Sequence, residues 1–212
     1  MDITWYGHSC FRVVERGYAT VVTDPFDASL GYEPLRLKAD IVTVSHDAPG
    51  HNNLAAVKGA THVIQGPGEY EIGEVFIIGV ATYDPTREVP RRNVVYVLDY
   101  SALTVAHLGD LDHVPSQSMI DALGPVDIAL VLVGGGGGLS SGQAAEVISL
   151  LEPSIVVPMH FQTPALLGLN LDPVDRFLKE MGINSIEAQG MLRVAPGVLP
   201  EQTQVVLLDY QR

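Results

Sequence analysis

Ser45-His46-Asp47-Ala48-Pro49-Gly50-His51 is the stretch on which the reading of this chain turns. It follows a strand-like apolar run, Ile41 to Val44, and its two histidines stand five apart in a segment rich in turn formers. Histidine pairs beside a turn often do no more than cap backbone groups. The surrounding sequence therefore has to decide whether these two belong to a site.

Outward from that loop the same arrangement repeats. Trp5-Tyr6-Gly7-His8-Ser9-Cys10-Phe11 and Thr23-Asp24-Pro25-Phe26 precede it. Ala106-His107-Leu108-Gly109-Asp110-Leu111-Asp112-His113 and Val157-Pro158-Met159-His160-Phe161 follow it. Each loop follows a β-like run and carries a residue able to bind a metal, which is the pattern of a site assembled from loops at one edge of a sheet.

The order W-x-G-H-S, D-P-F, a histidine-containing loop, H-x-G-D and P-M-H resembles the metallo-β-lactamase-fold hydrolases. It is similar in particular to the branch related to ascorbate-6-phosphate lactonase. The likeness runs from Ile3 to about Thr163, some three quarters of the chain. It implies a single α/β (α+β) domain over residues 1–212, folded as a four-layer αββα sandwich.

The family's metal-binding loop is H-x-H-x-D-H, and its site holds two ions. By that resemblance His46 and His51 match the first and last histidines, while Ala48 and Gly50 stand where the middle histidine and the aspartate belong. Neither can donate to a metal. Asp84, in Ala81-Thr82-Tyr83-Asp84, replaces a third histidine. Asp110 matches the bridging aspartate and is the expected catalytic carboxylate, and His160 matches the late histidine. The implied metal ligands are His46, His51, Asp84, Asp110 and His160. His8, Asp24 and His113 are expected to line the site or orient its ligands, and His107 reads as a core histidine.

A complete structural zinc site is worth about 10–16 kcal/mol, so one ligand of four carries on the order of 3 kcal/mol, and each loss weakens binding roughly 100-fold. The expectation is one weakly held Zn, Mn or Fe ion, or none. Two functions compete. One is a metal-dependent hydrolase of a small ester, lactone or phosphorylated metabolite. The other is a catalytically inactive relative that keeps the fold as a binding or interaction module. Restoring the loop with Ala48→His and Gly50→Asp is expected to raise metal affinity.

Composition narrows the partners. A net charge of -13 argues against nucleic acid or an anionic membrane surface and leaves a small molecule as the expected ligand. Apolar runs such as Val126 to Val133 fall far short of the roughly 20 residues of a membrane span. The sequence enters a strand pattern at once, with no leader-like segment, and has one cysteine, Cys10. Both features predict a cytoplasmic protein. Oligomeric state is not legible.

Strands are expected at Ile3 to Tyr6, Phe11 to Val14, Ala19 to Thr23, Ile41 to Val44, His62 to Gln65, Val75 to Ala81, Val94 to Tyr100 and Leu103 to His107. Strand–helix alternation then follows. Helices are expected after Ser116, from about Ser141 and from Pro173, with strands at Val126 to Val133 and Ser154 to Val157 and terminal strands near Leu192 and Val205. The run Gly134 to Gly138 lacks the G-K-[ST] ending of a nucleotide loop and reads as a pliable rim, with anion binding the lesser alternative.

Overall fold

Antiparallel strands lead and strand–helix alternation closes the chain, in a computed structural model that describes residues 1–83 and 91–211. β1 (Asp2–Gly7), β2 (Cys10–Val14) and β3 (Val21–Thr23) come first, then β4 (Leu37–Lys38), β5 (Ile41–Thr43), β6 (Val57–Lys58) and β7 (His62–Ile64). β8 (Gly68–Ile72), β9 (Val75–Thr82), β10 (Asn93–Asp99) and β11 (Thr104–His107) form a meander. The remainder is α1 (Gln117–Leu123), β12 (Ile128–Leu132), α2 (Ser141–Leu151), β13 (Ile155–Met159), α3 (Val174–Glu180), β14 (Leu192–Arg193) and β15 (Gln204–Val205).

The strands build a six-stranded sheet in the order β14-β1-β2-β3-β5-β7 and a seven-stranded sheet in the order β15-β13-β12-β11-β10-β9-β8. Strand alternation explains how the first sheet serves two cores. Val21 and Ile41 face inward and join residues of the second sheet in the main core, whereas their neighbours Val22 and Val42 face outward into a smaller one. β12 and β13 are buried along their whole length, as parallel strands covered on both faces must be.

Helices cover the seven-stranded sheet. α2 starts at a capping box between Ser140 and Gln143 and buries Ala144, Val147, Ile148 and Leu151, the i, i+3, i+4, i+7 stripe of an amphipathic helix. Full burial of each larger side chain in that stripe stabilises by about 1.5–3 kcal/mol. The outer face of the six-stranded sheet has a different cover. There the short 3₁₀ turns Ala28–Leu30 and Leu54–Ala56 and the β4-β6 pair pack Leu30, Leu37 and Val57 over Val22 and Val42.

Three short strands escaped the sequence reading. β8 carries exposed Glu69 and Glu71 at the edge of its sheet, so it lacks the apolar count of a strand, and such charges blunt an open edge. β4 and β6 are two-residue pairings. Among the described residues, no helix is long and apolar enough to cross a membrane.

Candidate metal centre

The carboxyl ends of strands from both sheets converge. His8 follows β1, Asp24 follows β3, the loop holding His46 and His51 follows β5, Asp110 follows β11 and His160 follows β13. His8, Asp24 and His160 are non-glycine residues with positive φ, at +49°, +38° and +53°. Asp and His tolerate this region better than most residues, and such conformations gather where surrounding structure holds a site in place.

Asp24 organises the six-stranded side. Its fully buried carboxylate accepts hydrogen bonds from the Ser45 N–H at 2.7 Å, the Ser45 hydroxyl at 2.6 Å and His51 Nδ1–H at 2.8 Å. Burial alone raises its pKa, but the His107 ring, His51 and Ser45 overcome that and hold it at about 2. The bonds also fix tautomers. With the Ser45 hydroxyl proton spent on Asp24, His46 Nδ1–H donates to Ser45 Oγ at 3.0 Å. Nδ1 of both His46 and His51 is thereby committed to these partners, and Nε2 of His46 is turned towards Asp110 and Nε2 of His51 towards His8, the arrangement in which an anchored histidine presents its other nitrogen to a metal.

The seven-stranded side supplies Asp110 and His160. The Asp110 N–H donates to Asn93 Oδ1 at 2.8 Å, and Asn93 Nδ2 in turn donates to Leu108 O at 3.1 Å, which ties the loop to β10. His46 Nε2 lies 3.7 Å from Asp110 Oδ2, and His160 Nε2 lies 3.9 Å from Asp110 Oδ1. Gly134 lets the next loop pass, since a β-carbon there would lie 2.3 Å from the His160 carbonyl oxygen. Elsewhere in that glycine run the Gly135 and Gly138 N–H groups bond within their own turn, to Leu139 O and Gly135 O.

Burial depresses the histidines. Desolvation first, then neighbouring His51, brings His46 down to about 4 against the opposing pull of Asp110. Desolvation likewise brings His160 to about 4, and it pushes His8 well below the usual imidazole value with help from His160, His51 and His46. The rings are neutral at pH 7, so their lone pairs are available.

These side chains line a cavity of about 350 Å³, with Ala48 and Gly50 on its wall and Leu30, Leu167 and Leu171 at its apolar rim. Two overlapping clusters are placed to hold an ion, His8 with His51 and His160, and His46 with His51 and Asp110. A metal fits the donors present. Buried Nδ1 of His8, Nδ1 of His160 and Oδ1 of Asp110 have no hydrogen-bond partner among the described residues, and the set is neutral imidazole plus carboxylate.

The structure brings together His8, Asp24, His46, His51, Asp110 and His160. Asp84 lies outside the described residues. His113 does not join the cluster. Its ring turns to Asp112 Oδ1 at 2.8 Å and lines a separate cavity with Tyr83 and Met119, so its expected place beside the site is corrected. His107 is fully buried and its Nε2–H donates to Ser9 O at 2.9 Å. Sequence reasoning missed Arg91. Its guanidinium pairs with Asp110 Oδ2 and donates to Gly137 O at 2.9 Å on the cavity wall. Its position two residues before Asn93, whose side chain accepts from the Asp110 N–H, carries it to the site.

Residues 2–160 match the family model described as beta-lactamase superfamily domain, and the chain belongs to the metallo-β-lactamase superfamily. A UPF0173 protein of Pyrococcus furiosus is 29% identical over 85% of this chain and 90% of its own length. A UPF0173 metal-dependent hydrolase of Thermococcus onnurineus is 26% identical over 77% of this chain and 85% of its own length. A crystal structure from Thermotoga maritima, assigned as a Zn-dependent hydrolase of this superfamily, is 37% identical, with a TM-score of 0.81 and 99% of both chains covered.

Proposed function

We propose that the protein is a hydrolase dependent on a single divalent metal ion, acting on a small ester, lactone or phosphorylated metabolite. The observation that carries this reading is the convergence of four histidines and Asp110 on one cavity, with the Arg91 guanidinium on the Asp110 carboxylate. The names of the relatives from Thermococcus onnurineus and Thermotoga maritima support the same chemistry.

A divalent ion held by these donors supplies Lewis acidity, lowering the pKa of water towards about 7. Zn, Mn and Fe all suit the mixed nitrogen and oxygen set, and zinc suits the histidine-rich part best. Hydrolysis further needs a base for the proton of the attacking water and positive charge for the oxygen that gains electrons. Asp110 offers Oδ1, free of hydrogen bonds among the described residues, as the base. Arg91, about a third exposed at the cavity wall, offers the charge. The Arg91 guanidinium thus adds positive charge beside Asp110 to that of a single ion.

A second reading draws on that same ion pair. Arg91 engages Asp110 Oδ2, and this suits a binding module that keeps the fold without turnover. Metal content per chain, measured on protein purified without chelator and again after loading with Zn, Mn or Fe, separates the two when joined to hydrolysis assays on lactones, esters and phosphoesters. The hydrolase reading expects near-stoichiometric metal and a rate lost in Asp110→Ala. Protein that takes up no metal and turns over no faster than Asp110→Ala overturns it in favour of the binding module.

A further inference from the structure

A β-carbon at Gly50 would lie 3.0 Å from Nε2 of His8 and 3.2 Å from its Cδ2. The His8 imidazole therefore fills the volume that a side chain at Gly50 would claim. That ring is 2% exposed, and its Nδ1 has no hydrogen-bond partner among the described residues. Its Nε2 stands 3.2 Å from Nε2 of His51, and its centroid is 4.0 Å from that of His160. One donor atom from each of the three rings lies within 4.8 Å of the other two.

His8 Nε2 and His51 Nε2 are within hydrogen-bond distance of each other, so in the metal-free protein a proton on one ring bridges them. The same spacing suits an ion in place of that proton. Two nitrogens bound tetrahedrally to one zinc at about 2.0–2.1 Å stand about 3.3 Å apart. The separation of the His8 and His51 Nε2 atoms, 3.2 Å, is close to that value. The backbone of His8 is also anchored for the purpose. Its carbonyl accepts from the Trp5 indole at 3.0 Å and from the His160 N–H at 3.1 Å, which locks His8 to His160 across the two sheets.

We propose that His8 is itself a metal ligand, and that the ion is held by His8, His51 and His160. The imidazole of His8 takes the position that a carboxylate reaching in from residue 50 would otherwise occupy. This deepens the metal-dependent hydrolase reading and rests on it. Three protein ligands with one open position is the coordination of a catalytic zinc. The assignment also divides the site, with the ion on the three histidines and the Arg91 guanidinium on Asp110.

The test uses the full chain, stripped with chelator and titrated with zinc against a chromophoric chelator. A parallel sample loaded with an NMR-active cadmium isotope shows through-bond coupling from the metal only to the ring protons of ligating histidines. His8→Asn is the first variant, since Asn accepts the positive φ at this position and spares the turn. It is expected to weaken zinc binding about 100-fold. In the unmutated protein, cadmium coupling is expected to His8, His51 and His160.

His8→Ala with Gly50→Asp is expected to recover most of the lost affinity, because removing the ring opens the space beside residue 50. Zinc binding without cadmium coupling to His8 overturns the proposal, even if His8→Asn weakens affinity, and makes His8 a support for His51. Coupling to His46 in place of His8 overturns it by assigning the ion to the other cluster. Both results leave the hydrolase reading intact, whereas failure of the unmutated protein to take up either metal overturns both together.

Discussion

His51 Nδ1–H donates to Asp24 Oδ2 across 2.8 Å in a fully buried setting, and this bond determines which nitrogen of His51 faces the cavity. Asp24→Asn keeps the shape but offers the ring an amide in place of an anion. Loss of such an outer partner typically costs about 10–100-fold in metal affinity. Zinc competition on the variant is expected to fall in that range. An unchanged dissociation constant would mean that the Asp24 bond does not orient His51 for metal.

Arg91 gives a prediction about turnover. If the guanidinium meets the oxygen that gains charge in the transition state, Arg91→Ala lowers kcat by about 10²–10³-fold while KM moves little. Arg91→Lys should recover part of the rate, since it keeps the charge but loses the fork that reaches both Asp110 and Gly137. A rise in KM alone would identify Arg91 as a substrate-binding residue.

The metal-free protein should lose stability in acid. His46 and His160 sit at about 4 in the folded chain, below the imidazole value of 6.5. Between those values the unfolded chain binds more protons. Their contribution is therefore fully present above about pH 6.5, falls as pH drops towards 4 and is gone below it, on the order of 3 kcal/mol per ring. Denaturant unfolding of chelator-treated protein from pH 7 to pH 4 reads this directly. A flat profile across that window would mean the rings are not buried as neutral imidazoles.

The two departures in the central loop should respond differently to reversal. Ala48 faces the cavity, so Ala48→His adds a nitrogen donor and is expected to raise zinc affinity. Gly50→Asp in the otherwise unmutated chain has to displace the His8 ring and is expected to lower it. Metal titration of the two single variants separates these effects, which the paired replacement would have mixed.

Much of the fold was legible because five loops, each ending an apolar strand, carried recognisable residues in a fixed order. The structure gathers His8, Asp24, His46, His51, Asp110 and His160 from those loops into one place. Arg91 was not legible, because its pairing with Asp110 depends on how β10 lies against β11 and on no local pattern. Nor was the relation of His8 to Gly50, in which one residue fills volume that another leaves open 42 positions away. β8 was hidden for a compositional reason, since its exposed glutamates give an edge strand the polarity of a loop.

The site draws His8, His46 and His51 from loops of the six-stranded sheet and Asp110 and His160 from loops of the seven-stranded sheet. An ion shared between His51 and His160 would act as a rivet through both halves of the sandwich. Binding to the folded state alone stabilises by RT ln(1 + [L]/Kd), about 2.7 kcal/mol at a hundredfold excess over Kd. Metal supply would then set how much of this chain survives as well as how fast it works, and a starved cell would lose the protein along with its chemistry.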